Sequence, residues 1–258
     1  MINFHMIFAL VMATFVGGIA GYIGSLMVTK RMALMGGALG HLTMPGIALA
    51  LFFNIDVSLG ALGSLFFGIV LIWLFERKTH LPFEALTAVV FASSLAVTFL
   101  FLPQEKTAQA LIGDISQVSF RMAAITIILS VGLYFLIKKI YSGLILMSVS
   151  SDIASSLRIR VKRYNLIYLM SIALVIALGV KIVGGLMTAA LVAIPACTSK
   201  YISKSLLQYS YGSMLFGGLS CFLGMLIFMA TNIPAGPLII ICSSLLFLCS
   251  LLFKNRAC

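Results

Sequence analysis

Long, nearly uninterrupted apolar runs recur along this chain, and they constrain its fold more than any other feature. Nine of them stand out, at roughly 6–28, 32–53, 57–75, 85–103, 120–137, 164–180, 183–199, 208–230 and 235–253. A run of about 20 apolar residues is what an α-helix needs to cross the hydrocarbon core of a bilayer. Lipid offers no partners for backbone N–H and C=O groups, so a spanning segment must satisfy them internally. Barrel strands alternate over short stretches, and continuous runs of this length exclude an outer-membrane barrel. The chain therefore reads as an all-α, polytopic helical membrane protein with about eight to nine transmembrane helices. The range reflects the seventh segment, which is short and follows the sixth closely across Gly179–Gly185, so that the two form either separate spans or an irregular or re-entrant pair.

Composition agrees. Of 258 residues, 62% are hydrophobic and only 9% charged, with a mean hydropathy of +1.19, far from a soluble domain. Ile7 to Val28 is too long for a signal peptide and lacks a basic stretch before it, so it counts as a span. Neither an internal repeat nor a low-complexity segment interrupts the pattern, and residues 1–258 read as a single transmembrane domain. Cys197, Cys221, Cys242 and Cys249 lie within or beside apolar runs and Cys258 ends the chain. Without a CxxC spacing they read as packed thiols rather than a disulfide framework or thiolate metal cluster.

The formal net charge of +11 is explained by position, not by nucleic acid. With the amino terminus outside, the inner loops and carboxyl terminus collect Lys30, Arg31, Arg77, Lys78, Lys138, Lys139, Arg158, Arg160, Lys162, Arg163, Lys200, Lys204, Lys254 and Arg256. These are 14 of the 17 Lys and Arg residues. Lys106, Arg121 and Lys181 are left at the outer edge. Cytoplasmic loops retain cations, so this bias sets the orientation. Small residues four apart, Gly17 with Gly21, Gly36 with Gly40, Ser64 with Gly68 and Ser213 with Gly217, mark places where helices approach closely.

Three stretches carry candidate chemistry. In Lys30–Ala50, KRMALMGGALGHLTMPGIALA, His41 is the only ionisable side chain deep within an apolar run. It lies beside helix-loosening Gly36, Gly37, Gly40, Thr43 and Pro45. An intramembrane histidine needs a partner that lipid cannot supply, which points to a polar path or to a hydrogen bond inside a packed helix. The outer stretch Gln104–Ser119 holds Glu105, Asp114 and LIGDISQVS. The inner stretch Tyr141–Arg163 is the longest cytoplasmic connection. Within it, SSDIASSLRIRVKR reads as a short surface helix capped by Ser150 or Ser151, with Asp152 at its amino end and Ile153 and Leu157 on one face. Such an element suits either the membrane surface or a cytoplasmic partner. The chain has no GxxxxGK[ST] phosphate loop, no HExxH and no Ser-His-Asp set, and His5, His41 and His80 are far apart. Enzymatic chemistry is not expected.

Taken together and in order, these stretches resemble the permease subunits of metal-ion ABC importers, the family that takes up zinc, manganese and iron. RMALMGGALGHLTMPGIALA is similar to the family's second-span signature, and GDISQVS to its segment after the fourth span. SSDIASSLRIRVKR resembles its coupling segment against the ATPase. VGGLMTAALVAIPACTS and NIPAGP resemble its later Gly-Ala-Leu and Pro-Ser-Gly stretches. The resemblance implies import of a divalent transition metal ion as substrate, zinc foremost, with manganese or iron as alternatives, and no bound cofactor. It implies a separate cytoplasmic ATPase subunit, an extracytoplasmic metal-binding protein, a second copy of the chain, and residence in a bacterial cytoplasmic (inner) membrane. His41 becomes a pathway metal ligand, and Asp152, Ile153 and Leu157 become ATPase-docking residues. Gly37 departs from the family, which places an acidic residue four before the histidine, on the same helix face. The alternatives are a stand-alone secondary transporter, which would need buried charge that the spans lack, and a non-transporting membrane assembly subunit.

Overall fold

A computed structural model describes residues 4–53, 57–79, 81–101, 120–149, 156–157, 161–184, 187–231 and 233–253. The described residues form helices and turns with no strand. In chain order the helices are α1 (Phe4–Thr29), α2 (Ala33–His41), α3 (Met44–Phe53), α4 (Val57–Thr79), α5 (Phe83–Phe101), α6 (Phe120–Val149), α7 (Val161–Val183), α8 (Thr188–Ile202), α9 (Leu206–Thr231) and α10 (Ala235–Phe253). Six are long and apolar enough to cross a membrane, within α1, α4, α6, α7, α9 and α10. The protein is thus a multi-pass membrane protein, as its apolar runs require.

α1 is the central helix. It packs against α9, α6, α8 and α7, and Met12, Ala13, Val16, Ile23 and Leu26 are buried. Small residues make its closest contact. A Cβ at Gly21 would overlap the Ser213 carbonyl, and one at Gly217 would overlap the carbonyl of Gly17. The Gly17/Gly21 and Ser213/Gly217 pairs therefore seat against each other, joining α1 to α9 backbone to backbone. Within hydrocarbon, where apolar side chains gain little from leaving lipid, such close packing is a main source of helix association.

Three segments differ from their sequence limits. The fifth run continues as helix to Val149, so Tyr141–Val149 extends α6 rather than opening a loop. Tyr141 turns inward, its ring 5.5 Å from that of Tyr22 and its Oη 3.4 Å from Ser25 Oγ. The sixth and seventh runs fold as two separate helices, α7 and α8. α7 closes at Gly184, whose φ of 88° suits a residue without Cβ, and the Thr188 hydroxyl donates to the Gly184 carbonyl at 2.6 Å. α8 then runs from Thr188, beside Gly179, to Ile202, and Ser199 Oγ in its last turn donates to the Tyr209 carbonyl at 2.8 Å at the start of α9. With 15 residues it is about 22 Å long at the standard rise, shorter than a full hydrocarbon crossing. The second run is the third difference, and it builds the site.

Candidate functional site

The run 32–53 is not one helix but two, α2 and α3, separated by Leu42–Thr43. Its own residues cause the break. Pro45 has no N–H to offer the His41 carbonyl. Thr43 satisfies the Gly40 carbonyl twice, from its backbone N–H at 3.3 Å and its hydroxyl at 2.6 Å. The Thr43 carbonyl then accepts from Ile47 N–H at 2.9 Å and so starts α3. Thr43 is fully buried.

α4 holds this break in place with a stripe of small residues, Gly60, Ser64 and Gly68. A Cβ at Gly46 would overlap the Gly60 carbonyl, and one at Gly60 would overlap the Gly46 carbonyl. The single Ser64 hydroxyl proton is shared between the Thr43 carbonyl at 3.3 Å and the nearer Ala61 carbonyl of α4 at 3.1 Å. Leu42 fills the space over Gly68, its Cδ1 3.1 Å from where a Cβ would stand. The Ser64/Gly68 pair thus serves the break.

His41 is the last residue of α2 and is half-buried. Its ring lies 5.1 Å from that of Phe91 on α5, tilted by 45°. Nδ1 is buried and has no hydrogen-bond partner among the described residues. A buried polar atom left unpaired costs about 1–3 kcal/mol, and Nδ1 of His41 is such an atom at the end of α2.

Gly37 lies one turn back on α2, where α8 passes. A Cβ there would stand 3.6 Å from the Ala189 Cβ, an ordinary contact, while at Gly36 the Ala189 Cα is 3.6 Å away. α2 is therefore held between α5 at His41 and α8 at Gly37. The position of the missing acidic residue is open enough for a side chain to start.

The described residues contain no cluster of three or more His, Cys, Asp or Glu side chains suited to a metal ion. Of the six acidic residues, Glu76 and Glu84 are described, and Asp56, Glu105, Asp114 and Asp152 lie outside the described residues. Asp152 and Ile153 of the docking segment fall outside as well, as does GDISQVS. Leu157 is described and is 64% exposed, an apolar side chain presented outward just before α7. Phe91, Ala189 and the Ser64–Thr43 bond were not singled out in the sequence; an aromatic or alanine within an apolar run carries no signal of its own.

Comparison with known proteins defines the class. Residues 3–254 match the ABC 3 transport family, and the chain belongs to that family. It is 28% identical over 246 residues to the manganese import system permease protein ScaB of Streptococcus parasanguinis, covering 94% of this chain and 88% of that one. It is also 28% identical over 243 residues to the high-affinity zinc uptake system membrane protein ZnuB of Buchnera aphidicola, covering 92% and 93%. Its fold matches a chain of PsaBC from Streptococcus pneumoniae, solved in complex with Fab, with a TM-score of 0.84 at 24% identity, covering 98% and 94%.

Proposed function

We propose that this chain is the membrane-spanning subunit of an ATP-driven importer for a divalent first-row metal ion, with His41 as a ligand on the path. The observation that carries this reading is the His41 nitrogen left unpaired among the described residues at the break of the second crossing, within a chain belonging to a transport family. Relatives named for manganese and for zinc uptake support a divalent cargo. Imidazole binds both metals, zinc the more tightly, and zinc is the primary expectation.

A single imidazole makes a weak site, which suits a path that must release its ion. In a homodimer, two copies of His41 would share the load. ATP hydrolysis belongs to a separate cytoplasmic subunit, docked on the segment with Asp152, Ile153 and Leu157, and an extracytoplasmic binding protein supplies the ion. The bilayer is the cytoplasmic membrane of a bacterium, with the cation-bearing end of the bundle inward.

Metal-resolved uptake in reconstituted vesicles tests this. ATP-dependent entry of zinc or manganese that requires the added ATPase is expected. Uptake driven by an ion gradient without ATP contradicts it in favour of a secondary transporter, and no uptake in either case favours an assembly subunit.

A further inference from the structure

At the cation-bearing end, a cleft of about 330 Å³ opens among the end of α1, the turn into α2, the start of α5, the end of α6 and the start of α7. Lys30 reaches into it. Its Nζ donates to Asn165 Oδ1 at 3.2 Å and lies 4.8 Å from the centre of the Tyr168 ring. Neither group neutralises the ammonium, and no described carboxylate pairs with it. Burial alone lowers the Lys30 ammonium from its usual 10.5 to about 8, so at neutral pH it remains largely charged while partly stripped of water.

Two further features converge on the same cleft. Arg31 lines it and is exposed, on a backbone held at φ 58°. A non-glycine residue rarely adopts this left-handed conformation. Here it turns the chain so that consecutive cations flank one opening. Tyr168 lines the cleft too, fully buried, its hydroxyl without a hydrogen-bond partner among the described residues. The rest of the lining sets Phe83, Met147 and Leu169 as an apolar side beside the polar Thr29, Ser148 and Asn165.

We propose that this cleft binds a phosphate group, with the cations of Lys30 and Arg31 meeting its charge and the apolar wall receiving what the phosphate is attached to. A basic pocket between helices at the inner membrane surface suits the headgroup of an anionic phospholipid. Phosphate free in the cytoplasm presents an equal or greater negative charge without the apolar part. The bound group would staple the α1–α2 turn to α6 and α7, the elements that flank the 150–160 segment. The site is separate from His41 and does not depend on the transport reading.

The test uses the full chain in detergent, with its melting temperature followed as phosphatidylglycerol, phosphatidylcholine or inorganic phosphate is added. Binding to the folded state raises the melting temperature with ligand concentration. Phosphatidylglycerol is expected to stabilise more than phosphatidylcholine. Lys30→Gln should raise the half-saturating concentration about tenfold, the scale of a lost charge-assisted contact, while Lys200→Gln, on an exposed residue of α8, should leave it unchanged. If inorganic phosphate stabilises as well and loses its effect in Lys30→Gln, the site stands with a soluble occupant. If Lys30→Gln yields no folded protein, Arg31→Gln at the mouth carries the same comparison with a weaker shift. Equal stabilisation by all three additions, none by any, or titrations unchanged in the variants overturns the proposal.

Discussion

His41 pairs a buried, unpartnered Nδ1 with an aromatic neighbour on another helix. Truncation separates a ligand from a structural histidine, because the two roles respond to it differently. His41→Ala should lower metal uptake per folded molecule about tenfold or more, the scale on which groups at metal sites act, with little loss of protein. A structural histidine would show the reverse, reduced abundance with normal uptake per molecule. Gly37→Asp is the complementary variant. Its Cβ has room beside Ala189, and the carboxylate would share a helix face with His41 at i,i+4, so divalent-metal binding in detergent should tighten. Without a metal nearby, the same carboxylate would only add about 2.5–3.5 kcal/mol of insertion cost. His41 was legible in the sequence, as the one ionisable group deep in an apolar run. Phe91 was not, because its pairing with His41 spans 50 positions and depends on how α5 docks against α2.

At the scale of elements, the small-residue pairs were legible but their partners were not. Spacing marks Gly17/Gly21 and Ser213/Gly217 as contact surfaces, yet only the folded bundle shows that they seat on each other. The break between α2 and α3 is similar. Pro45 and the glycines loosen that segment visibly, whereas its seating against Gly60, Ser64 and Gly68 of α4 shows only in the folded bundle. Gly46→Leu should therefore destabilise the protein by at least about 1–3 kcal/mol, the usual cost of overpacking, read as a lower melting temperature in detergent. Gly63→Leu is the matched control, since nothing lies within 4 Å of a Cβ at Gly63, and it should melt like the wild type. Equal melting of both variants would mean that the contact with α4 does not hold the break. The docking segment yields a third prediction at this scale. Leu157 is exposed, so Leu157→Asp should leave insertion intact while weakening co-purification with the ATPase and uncoupling hydrolysis from transport. Unchanged association with normal transport would remove it from the docking surface.

Across the whole molecule, cations such as Lys30 and Lys138 make contacts with aromatic or amide groups. Lys30 meets Asn165 of α7, and Lys138 of α6 lies 5.5 Å from the ring of Tyr134 one turn back on the same helix. Tyr134 in turn reaches Tyr211 of α9, with 3.4 Å between hydroxyls. The end of α1 and the start of α7 thus lie together, while Lys138 and Lys139 sit within α6, ahead of its end at Val149. Cysteine labelling in intact cells should find Glu105→Cys reactive from outside and Ser151→Cys protected until the membrane is permeabilised; external labelling of Ser151→Cys would invert the topology. The architecture was legible because every crossing must be apolar for most of its length. The shortness of the seventh run was legible too, whereas the cleft at Lys30 was not, since it depends on helix ends that hydropathy locates only loosely.

The central claim is that the broken second crossing places His41 on a water-accessible metal path. Its most direct test is a His41→Cys variant of the otherwise cysteine-free chain, reconstituted with its ATPase and treated with a charged thiol reagent. Labelling should occur, should change in rate between nucleotide-free and ATP-bound states, and should slow when zinc or manganese is present. A cysteine that reacts only with a lipid-soluble reagent, at a rate indifferent to metal and nucleotide, would contradict the account.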